Sequence, residues 1–181
     1  MKFDKDEARK AAFARRKAVF KSGVEGAAQA ALRAALAPYG GRVLSGYMAI
    51  RTELNPLPVM AGWGGPVGVP IVQGAGLPLV FHRWAPGCAM VAGAFGALVP
   101  AVAQEVVPEV LIVPLAAFDA RGYRLGYGGG FYDRTLERLR AAGDVVAIGF
   151  AYGAQRVEGL PVEATDQPLD GIVTEHGFEA F

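Results

Sequence analysis

The chain has 181 residues, a length typical of one domain, so we expect a single domain over residues 1–181. Its net charge of +1 disfavours binding to a polyanion by bulk attraction, and we expect no nucleic-acid partner. The single cysteine, Cys88, excludes an internal disulfide, and with only two histidines, His82 and His176, far apart in the chain, a zinc site is not expected.

Positive charge is concentrated at the amino terminus. Residues 1–21 contain eight Lys or Arg and three acids, which gives +5, and the other 160 residues carry ten Arg and fourteen acids, which gives −4. Every lysine lies at or before Lys21, so chemistry that needs an ammonium group must use this segment. The segment lacks the apolar core of a secretion signal, and early acids disfavour a transit peptide (Asp4, Asp6 and Glu7). We therefore expect a cytoplasmic protein.

Three segments have the residue pattern of helices. Residues 4–20 predict a helix on which Lys5 and Arg9 share a basic face, because they are four residues apart. The Ala-rich residues 24–37 predict a second helix that ends at a Pro and a Gly. Residues 130–142 predict a third helix with one apolar side.

Short apolar runs between turns predict strands over residues 42–50, 67–72, 77–83, 109–114, 144–150 and 171–174. The run at 109–114 is typical of a parallel strand buried on both faces. Strands that alternate with helices favour an α/β fold, and we expect a three-layer sandwich with a mainly parallel sheet. Residues 54–104 are the hardest to assign, since 54–80 carry no charge and many Gly and Pro.

An uncharged run over residues 84–104 is long enough to span a membrane. Several Gly and Pro interrupt it, namely Pro86, Gly87, Gly93, Gly96 and Pro100. Because such residues break a helix, we expect a buried wall of loops and short strands here, and no contact with a membrane.

A glycine-rich loop between a predicted strand and a predicted helix is the most informative segment. Four of the five residues from Gly126 to Gly130 are glycine, and Arg124 precedes them. Glycines let the backbone approach a ligand and direct several N–H groups inward, and the following helix adds its positive amino-terminal dipole. In an open α/β sheet, ligands bind beyond the carboxyl ends of the strands. The loop therefore predicts a phosphate-binding site.

The loop differs from two familiar phosphate-binding motifs. No lysine follows the glycines, as a P-loop requires, and no acidic residue lies about twenty positions on, as a dinucleotide motif requires. Asp133, in the first turn of the helix, would repel phosphate unless a cation intervenes, so Mg²⁺ is the simplest explanation. The alternative is a flexible glycine turn followed by an acidic first turn, which is structural only.

The segment from Phe118 to Asp133 resembles the signature FD-x-x-G-x-RLG-x-G-x-G-x-YD of the 5-formyltetrahydrofolate cyclo-ligase family, also called methenyltetrahydrofolate synthetases. The signature residues in this chain are Phe118, Asp119, Gly122, Arg124, Leu125, Gly126, Gly128, Gly130, Tyr132 and Asp133. The resemblance implies a fold similar to that of sugar-phosphate isomerases and coenzyme A transferases. It also implies ATP-dependent cyclisation of 5-formyltetrahydrofolate to 5,10-methenyltetrahydrofolate, by a monomer or small homo-oligomer.

The same resemblance implies roles for individual residues. ATP would be bound by Lys5, Arg9, Arg124, Leu125, Gly126, Tyr127, Gly128, Gly129, Gly130, Phe131 and Tyr132, with Arg124 as the catalytic residue. The folate would be bound by Tyr47, Met48, Glu53, Tyr127 and Phe131. Mg²⁺ would be held by Asp133 and by Asp166, which lies in a carboxyl-terminal segment similar to that of the family.

Each of these residues also has a structural interpretation. Lys5 and Arg9 could form a solvated helix face, and Glu53 could be a loop carboxylate in water. Asp119 is expected to close the turn before Gly122. Some relatives carry Lys at the position of Gly129 and Arg at that of Tyr127, and the aromatic residue that the family places before its signature corresponds to Phe95.

Two other functions are compatible with the sequence. One is a nucleotide-binding homologue that has lost ligase activity, which intact Arg124, Asp133 and Glu53 disfavour. The other is a sugar-phosphate isomerase or coenzyme A transferase, because a fold alone does not fix a function.

Overall fold

The computed structural model describes residues 5–181, so Asp4, the predicted first residue of the first helix, lies outside the described residues. Four α-helices are α1 (Lys5–Val19), α2 (Glu25–Leu36), α3 (Leu57–Ala61) and α4 (Phe131–Ala142) in the described part of the chain. The three predicted helices are confirmed to within two residues at each described end, whereas α3 was not predicted.

Eight strands form one sheet, in the order β12-β11-β10-β7-β1-β2-β3-β6. In chain order the strands of residues 5–181 are β1 (Leu44–Ser45), β2 (Val67–Ile71), β3 (Val80–Trp84), β4 (Met90–Ala92), β5 (Leu98–Pro100), β6 (Glu105–Val106), β7 (Val110–Val113), β8 (Ala117–Phe118), β9 (Arg124–Leu125), β10 (Val146–Phe150), β11 (Gly171–Thr174) and β12 (Gly177–Ala180). Strands β2, β1, β7, β10 and β11 are parallel, and β12, β3 and β6 are antiparallel to their neighbours. The predicted mainly parallel sheet is therefore confirmed.

Helices cover both faces of the sheet. Along β7, Val110 and Ile112 belong to the apolar cluster under α2 and α3, whereas Leu111 and Val113 belong to the cluster under α4. Side chains of a strand alternate between faces, so a strand covered on both sides is apolar throughout. Burial on both faces therefore accounts for the unbroken apolar run at β7. The sheet and the helices on its two faces form three layers.

The predicted strand over residues 42–50 is wrong in length, because β1 ends at Ser45. Beyond it the backbone bends back: Arg51 has a left-handed φ of 54°, and the Glu53 carboxylate accepts a hydrogen bond from the Ile50 N–H at 2.9 Å. A side chain that binds a backbone N–H in this way competes with the ladder of a sheet. The bend places Glu53 beyond the end of β1.

The expectation of a buried wall over residues 84–104 is also wrong. Strands β4 and β5 form a separate antiparallel hairpin, and the apolar side chains of Val91, Phe95, Leu98 and Val102 are about half exposed or more. The prediction of short strands is confirmed, but the small Ala and Gly residues leave too little apolar surface to bury the hairpin. No helix in residues 5–181 is both long and apolar enough to cross a bilayer.

The turn that leads to the glycine loop is held by a buried carboxylate. Asp119 is fully buried and accepts hydrogen bonds from the N–H groups of Arg121, Tyr123 and Leu160. The expectation that Asp119 closes the turn before Gly122 is confirmed. Asp119 thereby fixes the β8–β9 hairpin, from which the glycine loop leaves, to the carboxyl-terminal part of the chain.

Candidate active site

The glycine loop joins β9 directly to the amino terminus of α4. Gly128 and Gly130 have φ values of 103° and 64°, in the left-handed region that side chains rarely adopt. Gly130 precedes the first residue of α4, and no side chain caps the free N–H groups of that helix end. The loop is therefore a strand-to-helix junction with unpaired backbone donors, the geometry that binds phosphate.

Helix α1 lies against this loop through Arg9. The Arg9 Nε donates a hydrogen bond to the Gly126 carbonyl at 3.2 Å, and a Cβ atom at Gly128 would lie 3.3 Å from the Arg9 guanidinium carbon. The basic face of the first helix and the glycine loop therefore meet. Lys5 is instead paired with Glu163 at 2.5 Å, in the segment that carries Asp166.

Arg124 is fixed beneath the loop. Its side chain is 5% exposed, and its Nη2 donates to the Asp133 carboxylate at 2.8 Å while its Nη1 donates to the Gln167 carbonyl. Burial lowers the pKa of Arg124, and the charges of Asp133 and Asp166 act in the opposite direction. Since a guanidinium titrates far above neutral pH, Arg124 remains a cation that is held in one orientation.

Two carboxylates share the neighbourhood of this cation. Asp133 accepts hydrogen bonds from Arg124 and from the Gln167 N–H at 3.0 Å, and Asp166 accepts one from the Glu163 N–H at 2.8 Å. Within residues 5–181 no group of three or more acidic, Cys or His side chains could hold a metal alone. Two carboxylates fit a Mg²⁺ ion that takes its remaining ligands from phosphates and water.

Glu53, in the bend after β1, contacts the loop through Tyr127 and is 7% exposed. One of its oxygens accepts a hydrogen bond from the Tyr127 hydroxyl at 2.6 Å, and the other accepts the Ile50 N–H. Burial raises the pKa of Glu53, although these two hydrogen bonds and the charge of Arg16 oppose the rise. Glu53 is therefore not a solvated loop carboxylate but a buried acceptor that is linked to the glycine loop.

Arg16 is a site residue that the sequence interpretation missed. It is 1% exposed, and it donates to the Thr52 hydroxyl at 2.9 Å and to the Tyr127 hydroxyl at 3.0 Å, with its Nη1 4.0 Å from Glu53. Its spacing of seven residues from Arg9, which is two helical turns, was the available signal. Arg16 stands between Arg15 and Lys17, and the sequence does not show which of these three cations is buried.

Aromatic rings flank the loop. Phe131 lies 6.0 Å from Phe95, at the tip of the β4–β5 hairpin, and Tyr127 lies 5.2 Å from Phe13, measured between ring centroids. A Cβ atom at Gly129 would lie 2.5 Å from the Phe131 ring, so the backbone there passes close to that ring. Phe131 and Phe95 thus form an apolar edge beside the loop.

Four other predicted residues are more deeply placed. Tyr47 is 3% exposed and donates its hydroxyl to the Leu54 carbonyl at 2.7 Å, and Met48 packs against the same apolar cluster. Leu125 packs under α1. The Tyr132 hydroxyl is buried without a hydrogen-bond partner among residues 5–181, and burial with the nearby charge of Glu53 raises the pKa of Tyr132. These side chains support the site from below.

The sequence model of the 5-formyltetrahydrofolate cyclo-ligase family matches residues 91–175. The chain is 31% identical to the 5-formyltetrahydrofolate cyclo-ligase of Mycolicibacterium smegmatis over 146 residues, which cover 74% of each chain. It is 43% identical to that of Haemophilus influenzae over 100 residues, 52% of this chain and 53% of the relative, so the match spans about half the length of that relative.

Similarity extends to a solved structure. The NMR structure of Aquifex aeolicus 5,10-methenyltetrahydrofolate synthetase superposes with a TM-score of 0.78 at 28% identity, covering 97% of this chain and 92% of that one. Because the superposition covers 97% of this chain, the shared fold extends to helix α1, which lies outside the family match at residues 91–175.

Proposed function

The chain belongs to the 5-formyltetrahydrofolate cyclo-ligase family, and on that premise we propose that it uses ATP to convert 5-formyltetrahydrofolate to 5,10-methenyltetrahydrofolate, with release of ADP and phosphate. The observation that carries the proposal is the position of Arg124, which is buried under a glycine loop and paired with Asp133. Glu53, joined to the same loop by Tyr127, supplies an acceptor for the second substrate.

The glycine loop is proposed to bind the triphosphate of ATP. Backbone N–H groups of Gly126 to Gly130 and the amino-terminal dipole of α4 favour negative charge, and Arg9 and Arg124 add two cations next to them. Lys5 would join them if a bound phosphate replaced its exposed partner Glu163. In this arrangement Arg9, Arg124 and the glycine loop would surround the triphosphate together.

Mg²⁺ is proposed to be held by Asp133 and Asp166, and when bound it would neutralise part of the charge that develops on the phosphates. Asp133 already orients Arg124 through its Oδ1 atom. The two carboxylates and Arg124 would therefore set the position of the terminal phosphate relative to the folate.

The folate is proposed to place its pterin against Glu53. A carboxylate accepts the N–H groups of a pterin edge well, and the flat ring fits an aromatic border such as that of Phe131 and Phe95. Tyr47 and Met48 would support the pterin site from the apolar core. The Tyr47 hydroxyl already donates to the Leu54 carbonyl.

The proposed reaction needs no nucleophile from the protein. The formyl oxygen attacks the terminal phosphorus of ATP, so an O–P bond forms and the bond to ADP breaks. The neighbouring folate nitrogen then attacks the activated carbon and loses its proton, and phosphate leaves with the former formyl oxygen. Arg124 and the loop N–H groups would stabilise charge on the transferring group, which is catalysis by positioning and electrostatics.

Glu53→Gln should raise the KM for 5-formyltetrahydrofolate by about tenfold or more, since a charged acceptor is lost, while the KM for ATP changes little. Because burial raises the pKa of Glu53, the wild-type KM for the folate should also rise on acidification, as the carboxylate is protonated, and the variant should lack that rise. Steady-state kinetics at several pH values measure both effects. Exposed Glu137→Gln on α4 is the control, and an unchanged folate KM in Glu53→Gln would remove Glu53 from the folate site.

The activity is tested by following the absorbance of the methenyl product while ATP, Mg²⁺ or 5-formyltetrahydrofolate is omitted in turn. The proposal expects product only when all three are present. ATP binding without folate-dependent product would instead favour a nucleotide-binding homologue, and no binding of either would reject the proposal. We also propose a sugar-phosphate isomerase-like fold, a cytoplasmic location, and a monomer or small homo-oligomer.

A further inference from the structure

Three separate segments are joined by a row of two hydrogen bonds between the side chains of Arg16, Tyr127 and Glu53. We name these three residues the Tyr127 bridge. Arg16 comes from α1, Glu53 from the bend after β1, and Tyr127 from the glycine loop. The Tyr127 hydroxyl accepts a hydrogen bond from Arg16 at 3.0 Å and donates one to Glu53 at 2.6 Å. One hydroxyl therefore connects the proposed nucleotide loop with the proposed folate carboxylate.

The two ends of the bridge are buried, and its centre is not. Arg16 and Glu53 are 1% and 7% exposed, whereas Tyr127 is 39% exposed. Arg16 also donates to the Thr52 hydroxyl and the Leu115 carbonyl, so its own position is set independently of the loop. Tyr127 is consequently the member whose position depends on the conformation of the glycine loop.

The bridge leaves acceptor positions free on the Glu53 carboxylate. A carboxylate has about four acceptor positions, and the described residues fill two of them, with the Tyr127 hydroxyl on one oxygen and the Ile50 N–H on the other. A pterin edge can donate to the remaining two, so it need not displace Tyr127. The nucleotide and the folate can therefore bind while the bridge stays intact.

We propose, on the basis of the proposed function, that Tyr127 is a positioning residue which couples the two substrate sites. A nucleotide that orders the glycine loop fixes Tyr127, and Tyr127 then holds Glu53 in the orientation that accepts the folate. The second ligand then binds to a site that the first ligand has already ordered. Because it loses less conformational entropy, the two ligands bind with positive coupling. The coupling is assigned to the hydroxyl, because the hydroxyl makes both hydrogen bonds of the bridge, whereas the ring contacts Phe13.

Isothermal titration of 5-formyltetrahydrofolate, with and without a non-hydrolysable ATP analogue and Mg²⁺, measures this coupling. In the wild-type protein the analogue should tighten folate binding about fivefold or more. In Tyr127→Phe, which keeps the ring, the ratio should fall to within about twofold of one, in line with the loss of a single coupling contact. Lys17→Met, an exposed change on α1 next to Arg16, should keep the wild-type ratio.

Each outcome is decisive. Full coupling in Tyr127→Phe, or no coupling in the wild type when both ligands bind, would overturn the bridge while leaving the proposed activity intact. Failure of the wild type to bind 5-formyltetrahydrofolate at all, together with no methenyl product, would reject the proposed function and the bridge with it. Thermal unfolding of Tyr127→Phe checks that the fold is retained, and thermodynamic reciprocity requires the same factor when the analogue is titrated with and without folate.

Discussion

Replacing Arg124 with alanine should lower turnover by about two powers of ten or more, as does the loss of a contact that stabilises charge in the transition state. Arg124 is nearly buried and oriented by Asp133 and the Gln167 carbonyl, so the substitution removes a cation that is fixed in position. The KM values should change less than the turnover number, because the charge develops most strongly in the transition state. Steady-state rates of methenyl product formation measure the effect.

A matched control separates lost chemistry from lost stability. Arg138 is exposed on α4, and Arg138→Ala should retain turnover close to that of the wild type. If Arg124→Ala also kept wild-type turnover, Arg124 would have no part in the reaction. If the variant unfolded at a much lower temperature, Arg124→Lys, which preserves a charge but not the two-pronged contact, should still show a clear loss.

Replacing Asp133 with asparagine should also lower turnover by about two powers of ten or more, because it affects both a proposed Mg²⁺ ligand and the partner of Arg124. The Mg²⁺ concentration that gives half the maximal rate should rise in the variant, since a neutral amide binds the ion more weakly than a carboxylate. A titration of the rate with Mg²⁺ measures this change.

The metal titration distinguishes two roles of Asp133. If Asp133 only orients Arg124, turnover will fall but the half-saturating Mg²⁺ concentration will stay at the wild-type value, which would contradict the proposed ligand role. Asp144→Asn, an exposed change just after the end of α4, is the control and should alter neither quantity.

The glycine loop was predictable from the sequence because its features are local. A buried strand, a run of glycines and a helical pattern follow one another within a short segment, so the junction and its neighbours Arg124 and Asp133 could be located without tertiary information. The turn at Asp119 was predictable for the same reason. Helices α1, α2 and α4 were found because their apolar periodicity is long enough to be unambiguous.

Contacts between distant segments were not predictable. The hydrogen bond of Glu53 to Tyr127 joins residues 74 positions apart, and no periodicity reports such a pairing. The burial of Arg16 depends on where Thr52 and Tyr127 lie in space. Similarly, the pairing of Lys5 with Glu163 depends on the path of the carboxyl-terminal segment.

The middle of the chain was mispredicted for a different reason. Residues 84–104 lack charge, which usually indicates burial, but their side chains are mostly too small to form a core, and the hairpin of β4 and β5 remains exposed. The short helix α3 has only five residues and two prolines flanking or within its first turn, so its pattern was indistinguishable from a loop.

The binding of nucleotide phosphates by the glycine loop can be measured by NMR, through the backbone amide shifts of residues 126–130 during titration with a non-hydrolysable ATP analogue and Mg²⁺. The largest changes should occur in those amides and in the side-chain signals of Arg9 and Arg124. If the changes instead clustered at the groove of about 360 Å³ that Arg156, Thr174 and His176 help to line, with the loop amides unmoved, the glycine loop would not be the nucleotide site.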